Sequence, residues 1–144
     1  MSATLHVVCP HCSAVNRLPD ERLAQEPKCG SCHQLLFTGH PVALTSASLQ
    51  TYINRNDIPL VVDFWAPWCG PCLAMAPQYA QAAGMLEPRV RLAKLDTQSE
   101  QQAGAQFAIR SIPTMVLFKG GREVARQSGA MGSADIVRWV QSRL

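Results

Sequence analysis

The chain has no run of eighteen apolar residues, so no segment is long enough to cross a bilayer as a helix. Its first residues lack the basic stretch and apolar core of a secretory signal, so a cytoplasmic location without a membrane partner is expected. Charge is sparse: Asp, Glu, Lys and Arg make up 16% of the residues against 47% hydrophobic, the balance of a globular chain rather than a disordered one. The formal net charge of +3 is mild, and basic residues do not gather into the dense patch of a nucleic-acid binder. Arg89 and Arg91, and Arg138 and Arg143, read as solvated faces, and no nucleic-acid partner is expected. Low-complexity segments are missing, and so are repeats other than two short cysteine knuckles.

Cysteine, in contrast, is plentiful, and its six copies fall in three CxxC pairs. One pair, Trp68-Cys69-Gly70-Pro71-Cys72, directly follows the apolar run Leu60-Val61-Val62-Asp63-Phe64-Trp65. Two cysteines separated by two residues, between a buried strand and a helix, read as a redox dithiol in a cytosolic chain with βαβ patterning. Pro71 suits the first turn of a helix, and Leu73-Ala74-Met75-Ala76 continues it. The unpaired N–H groups of that helix start favour a thiolate, the form that attacks disulfides. Cys69 is therefore expected exposed at the helix start as nucleophile. Cys72, one turn in, is expected to resolve the mixed disulfide. The alternatives are a structural disulfide, which would constrain so short a loop very little, and half of a zinc site.

Asp63 interrupts a strand that is otherwise apolar on both faces. Burial raises a carboxyl pKa, and an acid beneath the dithiol could take the proton from Cys72 as it attacks. A partly exposed strand-end acid or a structural ion pair is the competing reading.

The other cysteines form Cys9-Pro10-His11-Cys12 and Cys29-Gly30-Ser31-Cys32, with sixteen residues between the pairs. That spacing is a zinc pattern. The expectation is one structural Zn2+ per chain, held by Cys9, Cys12, Cys29 and Cys32 in a closed tetrahedron at about 2.3 Å, with Gly30 easing its tight turn. Two disulfides, a second redox pair, or substitution of a ligand by His11 or His33 are the alternatives. Residues 1–38 are too few for an apolar core of their own, so metal would supply folding energy. Thr38-Gly39-His40-Pro41 is turn-like, which places a linker at 39–41 and a second domain at 42–144.

Within that second domain the patterning predicts strands near 42–44, 59–65, 90–95, 114–118 and 123–128. Helices are predicted over about 46–56, 70–86 and 99–107, and from Ser133 onward. Leu49, Tyr52 and Ile53 form the inner face of the first helix. Ile136, Val137, Val140 and Leu144 form that of the last. Pro77 is expected to kink the second helix. The resulting α/β order gives a mixed central sheet covered by helices on both faces.

The segment Val62-Asp63-Phe64-Trp65-Ala66-Pro67-Trp68-Cys69-Gly70-Pro71-Cys72 resembles the active-site segment of thioredoxins. Ala76-Pro77, Ala93-Lys94-Leu95-Asp96, Ile109-Arg110-Ser111-Ile112-Pro113-Thr114 and Gly129-Ala130 are similar to further family segments, in the family's order. The N-terminal knuckles, with His6-Val7-Val8 and Asn16-Arg17-Leu18-Pro19, resemble the zinc module of the bacterial thioredoxin 2 group. The resemblance implies a thioredoxin fold behind a small zinc-ribbon-like module, acting as a monomeric protein-disulfide reductase. It further implies oxidised proteins as substrates, an NADPH-dependent thioredoxin reductase as electron source, and no organic cofactor. By residue, it implies Asp63 as buried acid, Lys94 as its charge partner and Pro113 as a cis-proline. Trp68, Gly70, Pro71, Ile112, Pro113, Gly129 and Ala130 would form the substrate-facing surface, with substrate backbone pairing to Ile112. Leu73 departs from the Lys or Arg often found after the motif. Net oxidase or isomerase activity, or a zinc- or redox-gated chaperone, are the competing functions.

Overall fold

The computed structural model describes residues 3–144; Met1 and Ser2, where the N-terminal reading begins, lie outside the described residues. The apolar run before the dithiol forms a strand, Leu60–Trp65, with its first five residues buried. Numbered in chain order, the elements are β1 (Thr4–Val8), β2 (Val15–Pro19), β3 (Val42–Ala43), α1 (Ser46–Arg55), β4 (Leu60–Trp65), α2 (Gly70–Leu86), β5 (Arg91–Asp96), α3 (Gln101–Gln106), β6 (Thr114–Lys119), β7 (Arg122–Ser128) and α4 (Ser133–Ser142). From β3 onward, the elements follow the order read from the sequence.

Five strands form one sheet in the order β3-β5-β4-β6-β7. β4 is parallel to β5 and antiparallel to β6, so the sheet is mixed. Side chains alternate along each strand and divide the core in two. Leu60, Val62, Phe64, Ala93, Leu95, Val116 and Phe118 pack with α1 residues Leu49, Tyr52 and Ile53 on one face. Val61, Leu92, Met115 and Leu117 pack with Met75, Tyr79, Ala82 and Leu86 of α2 and Ile136, Trp139 and Val140 of α4 on the other. This is the thioredoxin fold that the resemblance implied. The inner face of α4 includes Trp139, while Leu144 lies beyond the helix end and is exposed, because the helix stops at Ser142. α2 runs through Pro77 as one continuous helix.

Residues 4–36 form a small unit around the antiparallel pair β1–β2. Its core contains Val7, Cys9, Leu18, Leu23, Cys29 and Leu36, and also Ile58 from the loop before β4. The unit is anchored to that loop by polar bonds as well. Asp57 N donates to the His6 carbonyl at 2.8 Å, and Val8 N donates to Asn56 Oδ1 at 3.0 Å.

Arg91 corrects the expectation of a solvated face. Its side chain is fully buried, whereas that of Arg89, two residues earlier, is 67% exposed. The reason is a set of partners distant in sequence. Nη1 donates to Glu87 Oε2 at 2.9 Å, and Nη2 donates to the carbonyls of Leu36 at 2.7 Å and Val8 at 3.4 Å. The guanidinium lies 4.6 Å from the centre of the Phe37 ring. Glu87 in turn accepts from Gly39 N at 2.8 Å. One buried ion pair thus joins β5, the end of α2, the residue before Cys9, and the 36–39 segment.

Removing one partner of such a pair leaves an uncompensated buried charge and costs about 3–5 kcal/mol. Arg91→Met is expected to lower unfolding stability by that order in urea titrations. Arg91→Met combined with Glu87→Gln should recover a substantial part of the loss. A cost below about 1 kcal/mol for the single variant would contradict this role for the pair.

Candidate functional site

Cys69 is the N-cap residue of α2, with φ −87° and ψ 110°, and its Sγ accepts from Cys72 N at 3.2 Å. The extended cap lets the chain turn from β4 into the helix, with Pro71 seated in the first turn where no N–H is needed. Cys69 and Cys72 are joined as a disulfide, with their Cα atoms 5.2 Å apart. Both sulfurs pack in a small cluster with Ala66, against which Trp65 and Ile112 also pack. The expected exposed nucleophile is not seen in this oxidised state: Cys69 is 5% exposed and Cys72 2%. The cluster covers Cys69 from the side of Ile112, whose carbonyl oxygen lies 3.8 Å from its Sγ.

The Ile112–Pro113 peptide is cis. Gly129 stands beside it, its N–H donating to the Pro113 carbonyl at 2.9 Å with φ at +98°, a conformation that side chains disfavour. Trp68 is 72% exposed and Leu73 52%, so the rim of the dithiol is apolar and open. Gly70, Pro71, Gly129 and Ala130 are exposed, Ile112 is half-buried and Pro113 buried. A groove of about 430 Å³ adjoins this rim, lined among others by Trp68, Thr97, Ala105, Ile109, Arg110 and Ile112.

Asp63 is 4% exposed and pairs in register with Lys94 on β5. Alternation puts both on the face of Val61 and Leu92, the face that α2 covers. Burial pushes the Asp63 carboxyl up to about 7, with the positive charge of Lys94 opposing the rise. Asp63 Oδ1 has no hydrogen-bond partner. Lys94 is exposed, and its ammonium lies 5.7 Å from the centre of the Trp65 ring; no Asp63–Lys94 ion pair within 4.0 Å occurs among the described residues. Tyr79, which nothing in the sequence singled out, holds α2 to the sheet above this pair. Its hydroxyl lies 2.7 Å from the Ala93 carbonyl oxygen and 3.1 Å from that of Val61.

The second cysteine set is gathered as tightly as the first. The Sγ atoms of Cys9, Cys12, Cys29 and Cys32 all lie within 4.8 Å of one another. Cys9 to Cys32 and Cys12 to Cys29 are each 3.6 Å. That is far longer than a disulfide and close to the edge, about 3.8 Å, of a tetrahedron with metal–sulfur bonds of about 2.3 Å. The residues therefore fit zinc. The two knuckles repeat one pattern. His11 N donates to Cys9 Sγ and Ser31 N to Cys29 Sγ, each at 3.3 Å. Ser13 N closes onto the Cys9 carbonyl and His33 N onto that of Cys29. The left-handed residues are Ser13 and His33, with φ of 64° and 66°. Gly30, expected to ease its turn, is not among the positive-φ residues; the strain falls just after the second cysteine of each knuckle. His11 and His33 are exposed and lie outside the sulfur cluster. Burial pushes the Cys9 thiol up to about 12, while the Cys32 N–H and further donors bring Cys29 down to about 6.

Comparison with known proteins follows the same division. The family model for thioredoxin matches residues 40–142, and that for the thioredoxin 2 N-terminal zinc ribbon matches residues 8–34. Thioredoxin C-3 of Corynebacterium nephridii is 44% identical over 138 residues, covering 96% of this chain and 94% of that one. A thioredoxin of Haemophilus influenzae is 36% identical over 101 residues, covering 70% of this chain and 94% of its own. The bifunctional thioredoxin reductase/thioredoxin of Mycobacterium leprae is 39% identical over 100 residues, covering 69% of this chain but 22% of that protein. With its dithiol at a strand-to-helix turn beside a cis-proline, the chain belongs to the thioredoxin family of thiol–disulfide oxidoreductases.

Proposed function

We propose that this protein reduces disulfides of client proteins in the cytoplasm through Cys69 and Cys72 and is recharged by an NADPH-dependent thioredoxin reductase. The observation that carries this reading is the N-cap position of Cys69, with a helix N–H aimed at its sulfur. In the reduced protein the Cys69 thiolate attacks a client disulfide. A mixed disulfide forms and one client sulfur leaves as thiolate. Cys72 then attacks Cys69 Sγ, its proton passing to Asp63, and the second client sulfur leaves. The two electrons end in the client, and the Cys69–Cys72 disulfide remains. The joining of a thioredoxin reductase and a thioredoxin in the Mycobacterium leprae relative supports a thioredoxin reductase as the electron source. Trp68, Gly70, Pro71, Ile112, Pro113, Gly129 and Ala130 present the client surface, where the Ile112 backbone pairs with an extended client segment. We divide the chain into a zinc-binding module at 1–38, a linker at 39–41 and a thioredoxin domain at 42–144. Zinc on Cys9, Cys12, Cys29 and Cys32 would hold the knuckles together, and the chain acts as a monomer.

The division of roles between the sulfurs is tested by trapping. Cys69→Ser is expected to abolish insulin-disulfide reduction. Cys72→Ser should accumulate a mixed disulfide with the client, visible by mass spectrometry, because attack survives and resolution does not. Equal trapping by both variants would contradict the assignment.

Asp63→Asn removes the proton acceptor with its shape kept. Release of the mixed disulfide at pH 7 should slow on the order of tenfold to a hundredfold in single-turnover assays. Stability responds with a definite sign. The folded-state carboxyl, at about 7, lies above its ordinary 3.8, so the folded state holds this proton more tightly. That advantage is complete below pH about 4 and is lost as pH rises through about 7. The oxidised variant should therefore melt above wild type at pH 8, and the gap should close near pH 4. A gap independent of pH would contradict a raised Asp63.

Metal analysis should find one zinc per chain, with four Zn–S distances of about 2.3 Å by X-ray absorption. Chelation should unfold residues 4–36, whose core is small. A chain beginning near Val42 should still reduce insulin, though with lower stability, since Ile58 and Arg91 lose their cover. Loss of activity in that folded shorter chain would place the zinc module in the catalytic cycle.

A further inference from the structure

Asn16 sits at the start of β2, four residues after the first knuckle; its side chain bonds to the second knuckle and to the carbonyl of Ala14, which also accepts from Cys9 N of the first. Its Oδ1 accepts from Gly30 N at 2.9 Å, within the second knuckle. Its Nδ2 donates to the Ala14 carbonyl at 3.2 Å, just past the first, and to Cys29 Sγ at 3.5 Å. Only one orientation of the amide serves these partners. Gly30 N is a donor, so it must face the oxygen; the Ala14 carbonyl is an acceptor, so it must face the nitrogen. The second amide proton then has Cys29 Sγ as its partner. Among the described residues, Cys29 has a side-chain N–H donor, and no N–H donates to Cys12 or Cys32. Cys12 is exposed and Cys32 partly so, while Cys9 and Cys29 are buried.

We propose that Asn16 is the positioning residue of the metal site: it ties the two knuckles together and, through its N–H···S bond to Cys29, governs how slowly zinc leaves. This rests on the reading of the four cysteines as a zinc site. The physics is that of an outer-shell partner. A hydrogen bond to a ligating thiolate fixes its direction and withdraws charge from a four-thiolate site that carries a net −2. Loss of such a partner typically costs 10- to 100-fold in metal affinity. Asn16 is also the link through which movement of one knuckle is felt by the other, because β2 begins at Val15 and the second knuckle is held by Asn16 Oδ1.

The test uses the full chain loaded with zinc and challenged with a chromogenic chelator. Asn16→Ala should release zinc about tenfold or more faster than wild type. Asn16→Asp keeps the size and the acceptor for Gly30 N but turns an oxygen toward Cys29 and Ala14. It should release zinc at least as fast as Asn16→Ala, whereas a residue that merely fills space would tolerate this change. In the cadmium-113 form of the wild-type chain, a through-hydrogen-bond coupling between the metal and an Asn16 side-chain proton should appear by NMR. Zinc release at the wild-type rate in Asn16→Asp, or no coupling to that proton, overturns the proposal. A wild-type chain that binds no zinc overturns the metal reading itself, and is distinguished by the metal content measured before the challenge.

Discussion

Burial of β4 is the constraint on which the rest of the structure depends. The strand is hydrogen-bonded on both edges and covered on both faces, with Leu60, Val62 and Phe64 toward α1 and Val61 toward α2. Such a strand must be apolar along its length. Asp63 is its one charged residue, and the surrounding packing sets its proton affinity. The C-terminal end of the strand delivers the chain to Cys69, and the loop at its N-terminal end supplies Ile58, Asn56 and Asp57 to the small N-terminal unit.

This arrangement separates two kinds of sulfur chemistry in one chain. The Cys69–Cys72 disulfide lies past Trp65, while Cys9 and Cys29 share a cluster with Ile58 before Leu60. Six residues of strand, roughly 20 Å, stand between. The dithiol and the knuckles thus lie beyond opposite ends of β4. Arg91 at the start of β5 bonds to the carbonyl of Leu36 in the segment after the second knuckle, and β5 continues from it to the Lys94–Asp63 register.

What was legible in the sequence is what depends on near neighbours in the chain. The CxxC spacing, the run Leu60–Trp65 and the inner face of α1 all follow from local period and composition, and each has its counterpart in the structure. Arg91 was misread because its partners lie as far as 83 residues away in sequence, and its charge looks no different from that of Arg89. Tyr79 was invisible for the same reason, and Asn16 entered only as part of the segment that resembles the zinc module: an Asn in a strand and a Tyr in a helix acquire their roles from the carbonyls and sulfur they meet. Gly30 shows the converse error. A glycine in a knuckle suggested strained backbone, yet the left-handed positions are Ser13 and His33, because the knuckle turns back after its second cysteine. The burial of Cys69 reflects Ile112, which sequence places 43 residues away.

In the proposed function, one chain keeps a reactive dithiol apart from a metal-bound set of thiolates. Equilibration of the zinc-loaded protein in graded dithiothreitol buffers, followed by alkylation and peptide mass mapping, tests it most directly. Cys69 and Cys72 should titrate together as a two-electron couple, while Cys9, Cys12, Cys29 and Cys32 keep one unchanging labelling state across the series. Joint titration of the knuckle cysteines with Cys69 and Cys72, or a Cys69–Cys72 pair that does not respond to the buffers, would contradict it.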